Sequence, residues 1–262
     1  MNLIPFLESQ APLFLIILAR IAGILAAIPG IGARTVPARV RIGLVLGLTL
    51  ILLPVVGSRV NPLGVALPHL LPLAFTEFMV GMVLGMSIQF VLTAIEMAGE
   101  LVGIQMGLNL IGVLDPIAGV QIPVLGEFLS VLATLVFFAI DGHHVVLEAL
   151  VSSFQLVPPL GVHLSGAVVE GVLKLAVGMF VLALKIGAPI MTALFIVTFA
   201  IGMLGRTIPQ FNVLMNTIPV TIVVGMLVLG VSLPLFGKVV LTSFGEIGPT
   251  LNGLLLLMGE GR

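Results

Sequence analysis

Residues 89–116 read QFVLTAIEMAGELVGIQMGLNLIGVLDP, and the order of polar, small and apolar positions in this stretch decides what kind of fold the chain takes. Gln89, Thr93, Glu96, Glu100, Gly103 and Gly107 recur every three or four positions, so on a helix they stack into one stripe. A stripe of that composition does not face lipid. Gly99, Gly103 and Gly107 also form consecutive small-xxx-small units, which let helix backbones approach closely, and Gly43 with Gly47 and Gly81 with Gly85 repeat the pattern. Beyond Gly107 an apolar run is broken by Gly112 and closed by Asp115-Pro116, a dipeptide that favours a turn. Irregular backbone at membrane depth needs protein or a water-filled lumen around it. The segment therefore reads either as a plug folded into a cavity or as a re-entrant packing loop.

The surrounding chain fits helices in lipid. Of its 262 residues 60% are apolar and 8% charged, against about 25% charged in a soluble domain. That composition excludes a water-soluble globule, and no separate soluble domain can be cut from it. A formal net charge of -1 leaves no basic face for a phosphate backbone, which excludes nucleic acid as a partner. Without cysteine no disulfide framework or thiol chemistry exists. A window of about 20 apolar residues picks out six segments, at 12–33, 42–57, 73–95, 123–140, 171–204 and 213–237. The first reads as a retained anchor. The second is expected to stop near Pro54, and the fifth to be interrupted by Lys174, Lys185 and Pro189. Arg34, Arg39 and Arg41 make the connection between the first two segments the basic one, which places it in the cytoplasm with both termini outside; Arg206 agrees. Trp and Tyr, the usual interfacial anchors, are absent, while Gly and Pro number 31 and 17. The missing aromatic belt follows either from composition bias or from surfaces that face other subunits, and the many helix breakers agree with the second.

Polar residues that could carry chemistry are few. Glu96 and Glu100, one turn apart, either repel each other as a buried pair suited to a proton relay or lie near a helix end, where they reach water or pair with a basic residue. Glu170 and Lys174 have the spacing of an ordinary i,i+4 pair. Asp141-Gly142-His143-His144 offers metal-type side chains, but adjacent histidines diverge on a helix and no further ligand completes a set, so no metal is expected. Asp141 is expected to cap the helix that starts near Gly142. No nucleophile elbow, Walker loop or dinucleotide fingerprint occurs, so catalytic and cofactor-binding residues are expected to be none. The competing reading is an ion-coupled secondary transporter using Glu96, Glu100 or Lys185.

The sequence resembles the FliR family of flagellar biosynthetic proteins and its counterparts in virulence type III secretion. The likeness rests on Ala19-Arg20-Ile21 with Pro29, Val36 to Ile42, Ala98 to Gly107 with Asp115-Pro116, Asp141-Gly142-His143, and Gly205 to Asn212. It implies an all-α polytopic membrane-type protein with about six apolar segments, broken helices and a re-entrant loop, in which a FliP-like part, about 1–205, continues into a FliQ-like helical hairpin, about 206–262. It also implies a non-enzymatic subunit of the flagellar type III export gate in the bacterial inner membrane, at the basal body. The implied partners are FliP and FliQ, with FlhB at the base, lipid around it and unfolded flagellar proteins passing through. Its cone would be raised out of the bilayer plane, so six hydropathy segments are not a topology. The resemblance assigns a pore plug to Met106, Leu108, Leu110, Ile111, Val113 and Asp115, close packing beneath it to Gly99, Gly103 and Gly107, and subunit contact to Arg206, Pro209, Gln210 and Asn212.

Overall fold

A computed structural model describes residues 3–27, 36–57, 67–108, 123–158, 161–162, 165–208 and 212–259, and these form helices and connections without a strand. In chain order the helices are α1 (Leu3–Ala27), α2 (Ala38–Gly57), α3 (Leu67–Met106), α4 (Val124–Ala139), α5 (Gly142–Leu156), α6 (Gly166–Thr207), α7 (Val213–Gly245) and α8 (Ile247–Gly259). The fold is all-α. Four stretches, Ala38–Gly57, Leu70–Met106, Gly166–Thr207 and Met215–Gly259, are long and apolar enough to cross a membrane, and a fifth results if the broken α4–α5 pair counts as one span. The expected first segment falls on a shorter apolar helix, Ala11–Ala27, so six is an approximate count.

Two expected interruptions do not occur. Helix α2 runs through Pro54 to Gly57, and α6 is one helix of 42 residues with Pro189 inside it. A proline removes one backbone donor, a loss that neighbouring groups can offset at membrane depth. Lys174 and Lys185 lie on exposed positions of α6, where a charged side chain reaches outward without disturbing the backbone ladder. With α3 at 40 residues and α6 at 42, a rise of about 1.5 Å per residue gives about 60 Å of helix each. That is about twice the thickness of a hydrocarbon core.

The chain divides into two compact units, one of Met1–Phe90, Asp141–Ala176 and Glu246–Arg262, the other of Val91–Ile140 and Val177–Gly245. In the first unit α1 buries Leu13, Ile16, Ile17, Ile21 and Ile24 and packs against α2. Glycines bring α1 onto α3: a Cβ on Gly23 would strike the Phe78 carbonyl, and one on Gly81 would strike the Arg20 carbonyl. A Cβ on Gly85 would sit 2.6 Å from the Ile24 carbonyl oxygen. Contact this close is what the small-xxx-small pattern at Gly81 and Gly85 permits. Gly43 and Gly47, which carry the same pattern on α2, face nothing within 4 Å among the described residues. Farther along the chain, α5 packs against α8 over buried Leu150, Phe154, Leu251 and Leu255.

The centre of this unit is polar. Arg20 of α1 is fully buried, and its Nε and Nη2 both reach Glu77 Oε2 on α3, at 2.6 Å and 2.5 Å. Nη1 donates to Ser153 Oγ at 3.1 Å, and Nη2 also donates to the Val157 carbonyl at 3.0 Å. The guanidinium carbon lies 4.1 Å from the centre of the Phe154 ring, a favourable cation–π distance. The Ser153 hydroxyl in turn donates a hydrogen bond to the Leu150 carbonyl at 2.7 Å. Glu77 and Gly81 are one turn apart on α3, so the glycine that admits the Arg20 backbone also sets the depth at which the guanidinium meets the carboxylate.

Removing one member of a buried ion pair strands the other, at a cost of about 3–5 kcal/mol, whereas replacing both by apolar groups is often neutral. Arg20→Met and Glu77→Leu are therefore each expected to lower the thermal midpoint in detergent sharply, and the double variant to recover most of the loss. Single variants that melt like the parent would show that the pair does not hold α1 to α3.

Candidate functional site

In the second unit the C-terminal part of α3, residues 91–106, carries most of the polar and glycine stripe. It meets α4 at a glycine pair. A Cβ on Gly99 would lie 2.7 Å from the Cα of Gly126, and one on Gly126 would lie 2.9 Å from the Glu96 carbonyl oxygen. Val102 of α3 comes against α6 at Gly187, where an added Cβ would stand 3.7 Å from its Cγ2. Gly103 is buried.

Helix α3 ends at Gly107, which has a φ of 84°, a left-handed conformation that glycine adopts without a Cβ penalty. Gly107 N donates to the Ile104 carbonyl and Leu108 N to the Gly103 carbonyl, both at 3.0 Å. These two bonds are the Schellman pattern of helix termination. Gly107 thus stops the helix as well as continuing the ladder of small residues. The ending leaves the last carbonyls, those of Gln105 and Met106, without intrahelical donors. Met106 O accepts the Thr221 hydroxyl of α7 at 2.9 Å. Gln105 Nε2 in turn donates to the Met191 carbonyl of α6 at 3.0 Å. The Met106 side chain is fully buried and lies against Gly225, where a Cβ would come within 2.8 Å of its Cγ and Sδ.

Of the residues assigned to a plug, Met106 is buried and Leu108 half-buried at the end of α3. Leu110, Ile111, Val113 and Asp115 lie outside the described residues, as do Pro209, Gln210, Pro29 and Arg34. Arg206 is exposed in the last turn of α6, where a cation favours the helix dipole. Asn212 caps α7, its Oδ1 accepting the Met215 N–H at 3.2 Å. Glu96 is half-buried and Glu100 exposed, and Glu127 of α4 is near enough to Glu96 to add its repulsion. Lys185 is at the rim of a small cavity with Pro189, Ser232 and Phe236.

Asp141 stands at the expected N-terminal boundary of α5 but does not cap it through its side chain. Its φ of 56° turns the carboxylate toward the imidazoles, with Oδ1 at 4.0 Å from His143 Nε2 and 3.7 Å from His144 Nδ1. The histidine rings lie 4.3 Å apart, so the two side chains converge instead of diverging. All three donors are within 4.8 Å of one another. A tetrahedral ion with bonds of about 2.1 Å would draw such donors to about 3.4 Å. As it stands the group is a carboxylate–imidazole cluster in which Asp141 and His144 are exposed and His143 is half-buried.

Sequence reasoning missed Glu77 and Ser153 as partners of Arg20, and Thr221 and Gly225 as partners of Met106. A lone arginine in an apolar segment is a signal that a buried partner exists, but not of which one. Nothing in the sequence singles out Thr221 from other threonines in apolar helices.

Comparison with known proteins gives a consistent result. The model of the bacterial export proteins, family 1, matches residues 11–247. A flagellar biosynthetic protein FliR of Bacillus subtilis (strain 168) is 32% identical over 255 residues, covering 95% of this chain and 96% of the relative. Proteins of the same name from Pectobacterium carotovorum and Escherichia coli (strain K12) are 33% and 30% identical, over 90% and 88% of this chain and 90% and 87% of their own lengths.

Forcing an L side chain into the left-handed conformation costs about 1–2 kcal/mol. Gly107→Ala should therefore lower the melting midpoint in detergent, and Gly107→Asn should lower it less, because asparagine enters this region more readily. Equal melting of Gly107→Ala and parent would mean that the end of α3 does not require the glycine.

Proposed function

Because this chain belongs to the bacterial export proteins, family 1, we propose that it is a structural pore subunit of the flagellar type III protein export gate. In this reading it works in the inner membrane at the flagellar basal body, assembles with FliP and FliQ with FlhB at the base, and conducts unfolded flagellar proteins without catalysing a reaction. The observation that carries it is the near full-length similarity to proteins named flagellar biosynthetic protein FliR.

The physical features are in keeping with assembly. Leu50 and Ile51 on α2, Phe195 and Phe199 on α6, and Leu227 and Val231 on α7 are large exposed apolar side chains, a surface suited to lipid or to neighbouring subunits. Helices α3 and α6, of about 60 Å each, suit an assembly that rises beyond the bilayer better than simple membrane hairpins. The FliP-like part would cover about 1–205 and the FliQ-like hairpin about 206–262, with Arg206, Pro209, Gln210 and Asn212 at the junction contacting neighbours. Met106, Leu108, Leu110, Ile111, Val113 and Asp115 would close the lumen, the apolar members by excluding water and filling space. Gly99, Gly103 and Gly107 would allow the close packing beneath them.

Co-expression with FliP and FliQ should yield one defined hetero-oligomer by native mass measurement, absent when the chain is expressed alone. Deleting 108–114 should make that oligomer leak small ions across a planar bilayer. A monodisperse particle indifferent to both partners would defeat the subunit reading, and an intact oligomer with unchanged conductance after the deletion would defeat the closing role.

A further inference from the structure

We propose that Thr221 and Gly225 of α7 are positioning residues that latch the end of α3, holding Met106 and Leu108 where a closing role would need them. The proposal rests on the closing role given above and adds to it the device that fixes the closing residues in place.

The starting point is the way α3 stops. A Schellman ending satisfies the carbonyls of Gly103 and Ile104 through Leu108 N and Gly107 N, and leaves the next two oxygens without a donor from their own helix. Met106 O is one of them. A buried carbonyl in that state needs an outside partner, and Thr221 Oγ, itself buried, supplies it at 2.9 Å. The same hydroxyl is 2.9 Å from the Thr217 carbonyl and 3.0 Å from the Ile218 carbonyl. Those two already have donors in the backbone ladder of α7, so the single hydroxyl proton does most at Met106.

Gly225 acts on the other half of the same residue. It lies one turn beyond Thr221, hence on the same face of α7. A Cβ there would come 2.7 Å from Met106 Cε and 2.8 Å from its Cγ and Sδ. One face of α7 thus holds the Met106 backbone by a hydrogen bond and seats its side chain in the space a glycine leaves. Two points of attachment fix both the height and the rotation of the end of α3. Gln105, bonded to the Met191 carbonyl of α6, adds a third hold from a different helix. Leu108 follows two residues later and takes its place from theirs.

The chain has no cysteine, so Leu108→Cys gives it a single thiol, and the maleimide labelling rate, read on this chain's own mass, reports how firmly this end is held. In the hetero-oligomer with FliP and FliQ, Thr221→Val should speed labelling roughly tenfold, as expected when about one buried hydrogen bond no longer holds the closed arrangement. Thr221→Ser, which keeps the hydroxyl, should label at the parent rate, and Gly225→Ala should label faster because Met106 must move. Labelling of Thr221→Val at the parent rate, in an oligomer of unchanged native mass, would overturn the latch even if Gly225→Ala fails to assemble. If instead Thr221→Val labels faster but deletion of 108–114 leaves conductance unchanged, the latch stands and the closing role falls.

Discussion

A guanidinium with no access to water makes the strongest demand in this structure. Arg20 has five N–H donors in a fixed planar fork, and in an apolar surrounding every one left unpaired is expensive. A carboxylate takes Nε and Nη2, a hydroxyl takes Nη1 and a carbonyl takes Nη2 again, with an aromatic face beside them, all drawn from α3, α5 and the residue after α5. Greasy surfaces pack in many registers with similar energy. The polar centre accepts only the arrangement that brings Glu77, Ser153 and Phe154 around one side chain, so it selects among packings more than it adds net stability. Glu77 Oε1, which has no hydrogen-bond partner among the described residues, shows that the selection is made at some cost.

The glycines do the complementary work. At Gly23, Gly81 and Gly85 in one unit and at Gly99 and Gly126 in the other, the missing side chain lets two helix backbones touch. Without the hydrophobic driving force available in water, close backbone contact and interhelical hydrogen bonds must hold such helices together. Where glycines and polar bonds coincide, as at Gly81 beside Glu77 and at Gly225 beside Thr221, a helix pair has both a distance and a register.

Much of this was legible in the sequence because it depends on local pattern. Apolar length gave helices, and the three-and-four spacing around Glu96 and Gly103 marked one polar face of α3, of which Gly103 is buried, Gln89, Thr93, Glu96 and Gly107 are half-buried and Glu100 is exposed. The small-xxx-small pattern at Gly81 and Gly85 marked a contact, but the same pattern at Gly43 and Gly47 meets no neighbour among the described residues, since spacing records what a helix can do and not what lies opposite. Pro54 and Pro189 read as breaks because a proline lacks a donor; surrounding structure decides whether the helix nevertheless continues. Asp141 was at the right boundary with the wrong expected role, because its carboxylate lies toward the His143 and His144 side chains and makes no capping hydrogen bond to the backbone. The partners of Arg20 and Met106 are long-range facts that no local pattern encodes. For the candidate site, Met106 and Gly107 were marked by sequence, while Thr221 and Gly225 were not.

The chain order of the polar centre has a consequence in time. Glu77 follows Arg20 by 57 residues and Ser153 follows it by 133. At about 5–20 residues per second, α1 leaves the ribosome about 3–11 s before its counter-charge exists and about 7–27 s before its hydroxyl partner does. For that interval a lone cation sits in a segment otherwise apolar enough to enter lipid. Over that interval burying α1 in lipid carries the cost of an unpaired cation, a cost that falls only as α3 and α5 are made.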